Sequence, residues 1–204
     1  MEDNQEEVNS GFEIEVNAPY SLNYLIYVQN IFLNSRNQDR ETPLFPYVDS
    51  SKWGLLNGEF EQTYREVWEE TLNNNYLSGM YVHNGILDFD KALFQKLFEN
   101  NEIGVFGYLE SVKSFLAWWD GIYGKIAIEG IFDEDRMNKI YKELSKSINA
   151  DKRLKIGLIY DRPILTGQSE SSWYAILTIQ DVFAFRYKKR PELISKLLNC
   201  CKVN

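Results

Sequence analysis

The chain has one histidine and two cysteines in 204 residues, and its 22 lysines and arginines are outnumbered by 30 acidic residues. Each shortage excludes something. A single histidine, His83, cannot build a histidine-based metal centre, and no zinc-type cysteine or histidine spacing accompanies it, so no metal is expected. The two cysteines, Cys200 and Cys201, are adjacent and give no disulfide framework. A net charge of −8 leaves no basic stripe to displace phosphate counterions, which removes nucleic acid from the expected partners. The only basic cluster, Arg186, Lys188, Lys189 and Arg190, is too short for that role. There is no Gly-rich phosphate loop and no nucleophile elbow, so no cofactor is expected. No apolar run approaches the roughly 18 residues of a membrane span, and the opening MEDNQEEVNS has neither a basic nor an apolar segment of the secretory kind. The expected location is the cytoplasm.

What the chain does have is aromatic mass. Thirteen tyrosines, twelve phenylalanines and five tryptophans make up 15% of it, within an ordinary 44% of apolar residues. Such side chains fill a core, or anchor recognition surfaces because they bury large areas with few rotatable bonds. The length suits one well-cored domain. Residues 1–11 read as a disordered acidic tail and 12–204 as a single α+β domain.

Phe12 to Val16 alternates apolar and charged residues, the pattern of a half-buried strand. Pro19 suits the first turn of a helix whose apolar face is Tyr24, Leu25, Val28, Ile31 and Phe32. Residues 36–58 form a long connection, and connections of this length are often functional. Glu59 to Leu72 is strongly amphipathic, with Phe60, Tyr64, Val67, Trp68 and Thr71 on one stripe. A strand is expected over Tyr76 to Val82, and a helix over Phe89 to Glu99 capped by Asp88. Ile103 to Leu109 is ambiguous because of Gly104 and Gly107. A helix follows from Glu110 to Asp120-Gly121, then a strand over Lys125 to Ile131 from its alternation. Asp133 reads as an N-cap, with Phe132 and Met137 as a hydrophobic staple and Ile140, Leu144 and Ile148 on the stripe. Leu154 to Tyr160, Trp173 to Ile179 and Val182 to Tyr187 read as strands, the last two alternatively as one long strand with a bulge near Asp181, with 166–172 as a hairpin loop, and Pro191 opens a last helix. Strands and helices do not alternate regularly, so the expected fold is α+β, a mostly antiparallel sheet packed against amphipathic helices.

Four places could carry chemistry. His83 lies in a turn, where histidine can shuttle protons near neutral pH. Asp120 follows Trp118 and Trp119; adjacent helical positions point about 100° apart, so one tryptophan faces a groove, a neighbouring element or a partner. A carboxylate in that apolar setting could serve as a general acid. Glu129 is inward if Ala127 and Ile131 are, and solvated if Ile126 and Ile128 are; the pattern favours the second. Asp161 and Arg162 sit at a strand end, where ligands often bind, or in a plain turn before Pro163.

These places do not compose a mechanism, and three readings follow. The foremost is an acidic protein-binding module, of the inhibitor or immunity type, that neutralises a basic partner. Its contacts would be Glu59, Glu61, Glu66, Glu69 and Glu70 on one helix face, with Trp118 as an aromatic anchor. The alternatives are a carboxylate-dependent enzyme and a non-catalytic small-ligand-binding protein.

Overall fold

The computed structural model describes residues 11–36, 41–55, 58–77, 91–167, 172–187 and 190–202. Its sheet has three strands in the order β1 (Glu13–Asn17), β2 (Arg153–Ile159), β3 (Tyr174–Thr178), and every pairing is parallel. The expected antiparallel sheet is therefore corrected. In register, Glu13 faces Arg153 and Asn17 faces Gly157; on the other side Lys155 faces Tyr174 and Ile159 faces Thr178. Parallel pairing needs a crossover of a dozen residues or more. The connection from β1 to β2 carries most of the helices, and because β2 and β3 pair parallel, 166–172 is not the expected hairpin loop. Parallel strands are covered on both faces and read as continuous apolar runs. Leu154 and Ile156 to Ile159 are buried, as are four of the five residues of β3.

Helix α1 (Tyr20–Arg36) is buried from Tyr20 through Phe32 without interruption. It is therefore a central helix rather than the amphipathic one its sequence suggests. Besides Ser21 it buries three amide side chains, Asn23, Gln29 and Asn30, and buried amides need partners. Asn23 donates to the carbonyls of Pro19 (2.8 Å) and Leu158 (2.9 Å) and accepts from the Tyr160 amide (3.0 Å). It thus occupies the place of a strand residue opposite Ile159, extending the ladder past the end of β1. Gln29 donates to the Arg162 carbonyl (2.9 Å) and accepts from the Leu165 amide (3.0 Å). Asn34 ties down Leu44 and Pro46 in the same way.

Helix α2 (Phe60–Leu77) extends beyond its expected end. Phe60, Tyr64 and Trp68, spaced i, i+4, stack in sequence, and Phe60 continues onto Phe32 of α1 at 3.9 Å between ring centroids. Short α3 (Lys91–Gln95) leads to α4 (Glu102–Trp119), which absorbs the ambiguous 103–109 stretch. Gly107 explains why no side chain stands there: a Cβ would land on the Trp53 carbonyl. The long connection crosses α4 at that point, with Gly54 in the left-handed region (φ +57°) and its carbonyl accepting from the Glu99 amide at 2.7 Å. It packs rather than floats.

The expected strand over 125–131 is a π-helical turn, Ile122–Ile126, running into α5 (Ala127–Glu129). Buried Gly124 and Ile128 are four apart, a helical period that the apparent alternation hid. In α6 (Glu134–Leu144) the Asp133 cap accepts from the Arg136 amide at 2.8 Å, as expected. The expected strand over 182–187 is α7 (Ile179–Tyr187), followed by α8 (Arg190–Lys202). Thr178 and Asp181 start α7 with a reciprocal capping box: each side chain accepts from the other's backbone amide, at 2.9 and 3.1 Å. Buried residues from Phe12 to Cys200 form one hydrophobic core. No helix among the described residues is long and apolar enough to cross a membrane.

Candidate functional site at the carboxyl edge of the sheet

Because all three strands run the same way, their carboxyl ends lie along one edge, and ligands of parallel α/β sheets bind outside that edge. The chain brings chemistry there at three points: Ala18 to Tyr20 after β1, Tyr160 to Arg162 after β2, and Thr178 to Asp181 after β3.

The first point gathers two of the sequence candidates. The Tyr20 hydroxyl donates to Asp120 at 2.6 Å, and burial together with that carboxylate keeps the phenol protonated well above its ordinary range. Glu129 accepts from the Ala18 amide (3.3 Å) and lies 3.8 Å from Lys125, whose ammonium sits over the Tyr20 ring. Glu129 is half-buried, on a helix and not a strand, so neither orientation considered for it applies as stated. Asp120 is exposed on the solvent side, not enclosed in an apolar setting.

Next to it, Trp118 packs on Phe45 (4.8 Å) and Tyr160 (4.9 Å), and Trp119 is wholly buried against Phe115. Both rings therefore serve neighbouring elements. Asp161 accepts from Asn30 (2.9 Å) and from the Arg162 amide (2.8 Å), which fixes the turn after β2. His83 lies outside the described residues. The five glutamates of the α2 ridge, Glu59, Glu61, Glu66, Glu69 and Glu70, are all exposed; Glu61 meets Arg65 at 3.6 Å and Glu70 meets Lys96 at 3.7 Å.

Between the second and third points the edge opens into a cavity of about 350 Å³, within the range typical of small-molecule sites. Its apolar wall includes Ile159, Ala175, Ile176 and Cys200. Its polar wall is Trp68, Arg162, Thr166, Thr178, Asp181 and Lys196. Arg162 donates through Nε to Gln180 (2.7 Å), and Lys196 donates to the Ile176 carbonyl (3.0 Å). Trp68 Nε1 and Thr166 Oγ1 are buried and have no hydrogen-bond partner among the described residues. Tyr64 Oη, Trp119 Nε1 and Tyr174 Oη in the packed core share that condition, so what distinguishes this wall is the arginine and the lysine set beside an apolar surface.

Of these residues the sequence flagged only Arg162, by its position at a strand end. Trp68 was legible as core, and the Thr178-x-x-Asp181 spacing lay in a stretch read as strand. Nothing local indicated that Lys196 would reach β3. Cys201, beside the cavity-lining Cys200, has its thiol pushed up to about 11 by burial and by its neighbour, which disfavours the reactive thiolate. No group of three metal-ligating side chains converges among the described residues. Comparison with protein-family models, with curated proteins and with solved structures finds no match to this chain in any of the three, which leaves the geometry of the carboxyl edge to carry the functional reading.

Proposed function

We propose that this chain binds a small polar molecule in the cavity at the carboxyl ends of β2 and β3, in the cytoplasm. The observation that carries the reading is the cavity itself, about 350 Å³ at the carboxyl edge, whose wall sets Arg162 and Lys196 beside an apolar surface. Rigid elements position these groups: Trp68 through the α2 ring stack, Arg162 through the Gln29 amide, and Asp181 through the capping box. Asp181 is the one carboxylate among the described residues of the wall, and it is held as a cap, which favours binding over proton transfer. Native mass spectrometry of the purified protein tests the reading. A bound small molecule should add mass to the 24.0 kDa chain and be lost in Gly167→Phe. Gly167 lies at the cavity with open space around its missing side chain, so that variant obstructs without forcing the core. Equal retention by both proteins would contradict it.

A second reading, an acidic module of the inhibitor or immunity type facing a basic protein, is favoured by the exposure of four glutamates on α2 and of Glu59 just before it. A carboxylate ridge on a core-anchored helix would steer a basic partner. Glu61, Glu66 and Glu69 changed together to lysine should slow association with such a partner and reduce its salt dependence; unchanged kinetics would remove the ridge from the interface.

A further inference from the structure

The polar groups of the cavity wall are unequal in kind. Lys196 carries three N–H bonds and uses one on the Ile176 carbonyl. Arg162 carries five in a planar fork and uses its Nε on Gln180. Trp68 Nε1 can only donate, and both it and the Thr166 hydroxyl lack partners among the described residues. Against these donors stands Asp181, whose Oδ2 already accepts the Thr178 amide. The start of α7 also lies here, adding the partial positive charge of a helix N-terminus. In a chain of net charge −8, the described residues of this wall set two cations against one carboxylate.

We propose that the ligand carries an anionic group, a carboxylate or a phosphate, held between Arg162 and Lys196, with its remainder against the apolar wall of Ile159, Ala175 and Ile176. This rests on the reading of the cavity as a ligand site. An oxyanion supplies the lone pairs that the wall lacks, and charge-assisted bonds from guanidinium and ammonium are the strongest such contacts. The planar fork of Arg162 suits either anion bidentately, whereas Lys196 acts as a point charge. A cationic ligand would meet two like charges, and a neutral one would leave them unmatched.

The test is an amide NMR titration of the full chain with four probes: inorganic phosphate, succinate, succinamide and 1,4-diaminobutane. The last three share a four-carbon skeleton and differ in charge; phosphate against succinate separates the two anion chemistries. Expected are saturable shifts at Gly167, Thr178 and Asp181 with at least one of the anions, and none with succinamide or diaminobutane. Arg162→Gln and Lys196→Gln should each weaken that anion by about 10-fold or more, the worth of a hydrogen bond to a charged group. Both positions are at least partly solvent-exposed, so the variants should fold, and unchanged shifts elsewhere in the spectrum check this. Binding of succinamide or diaminobutane as tight as that of succinate would overturn the anionic ligand while leaving the cavity reading intact. No saturable shift from either anion would also overturn it, and retention of mass lost in Gly167→Phe then decides separately whether the cavity reading stands.

Discussion

Replacing Asn23 by alanine cuts the tie between α1 and the carboxyl end of β2. The amide is fully buried and makes three hydrogen bonds, to Pro19, Leu158 and Tyr160. The Pro19 carbonyl keeps a second partner, the Asn23 amide of the main chain at 3.1 Å. The Leu158 carbonyl and the Tyr160 amide lose their ladder partner at that point. Two buried groups left unpaired at about 1–3 kcal/mol each give roughly 2–6 kcal/mol of destabilisation. That is a large part of the roughly 5–15 kcal/mol by which folded domains are stable. Urea unfolding should show the midpoint falling with an unchanged slope, because the same surface is exposed on unfolding. Asn23→Asp should be worse, since a carboxylate would face two carbonyl oxygens with no proton to give at neutral pH. A loss below about 1 kcal/mol in the alanine variant would refute the idea that this side chain stands in for a strand residue.

Other consequences are as direct. Burial raises the phenol groups of Tyr20, Tyr24, Tyr27, Tyr64, Tyr160 and Tyr174 above their ordinary range. The unfolded chain releases these protons near pH 10 while the folded one holds them, so the stability they contribute is full below about pH 10 and is lost as pH rises beyond it. Absorbance at 295 nm should report their tyrosinate together with cooperative unfolding; tyrosinate from these residues in a still-folded chain would contradict the burial. Gly107→Ala should detach the segment around Trp53 from α4, or destabilise by roughly 2 kcal/mol or more, read by tryptophan fluorescence and urea unfolding; wild-type behaviour would refute the close approach. Thr178→Ala and Asp181→Ala should each cost about 1 kcal/mol, and the double variant less than their sum. Simple additivity would mean that the two caps do not act as one unit.

Local signals in the sequence were legible where the physics is local. Asp133 capped its helix because cap, staple and stripe all fall within one short segment, and the strands were visible too, β1 by its alternation and β2 and β3 as apolar runs. Strand direction is not local. Whether Leu154 to Ile159 pairs parallel or antiparallel depends on contacts across more than a hundred residues, and the unbroken burial of Ile156 to Ile159 was the one hint of a doubly covered strand. The 125–131 alternation was too short to separate period two from period four. Val182 to Tyr187 was read as strand from its β-type residues, whereas the reciprocal cap between Thr178 and Asp181 sets a helix there. The candidate site was half visible: Arg162 by its strand-end position, and Asp120 and Glu129 as carboxylates that Tyr20 and Ala18 bring to one edge. Trp68, Thr166 and Lys196 meet there only through the fold.

The indole N–H of Trp68 offers the most direct measurement. Its signal can be assigned with Trp68→Phe and followed by nitrogen–proton NMR as a small-molecule extract of the source cell is added. The expected result is a shift of the Trp68 indole with the Thr178 and Gly167 amides, while the wholly buried Trp119 indole, on α4 and not in the cavity wall, stays in place. An unmoved Trp68, with any shifts confined to the outer face of α2, would contradict the cavity account and favour the acidic ridge.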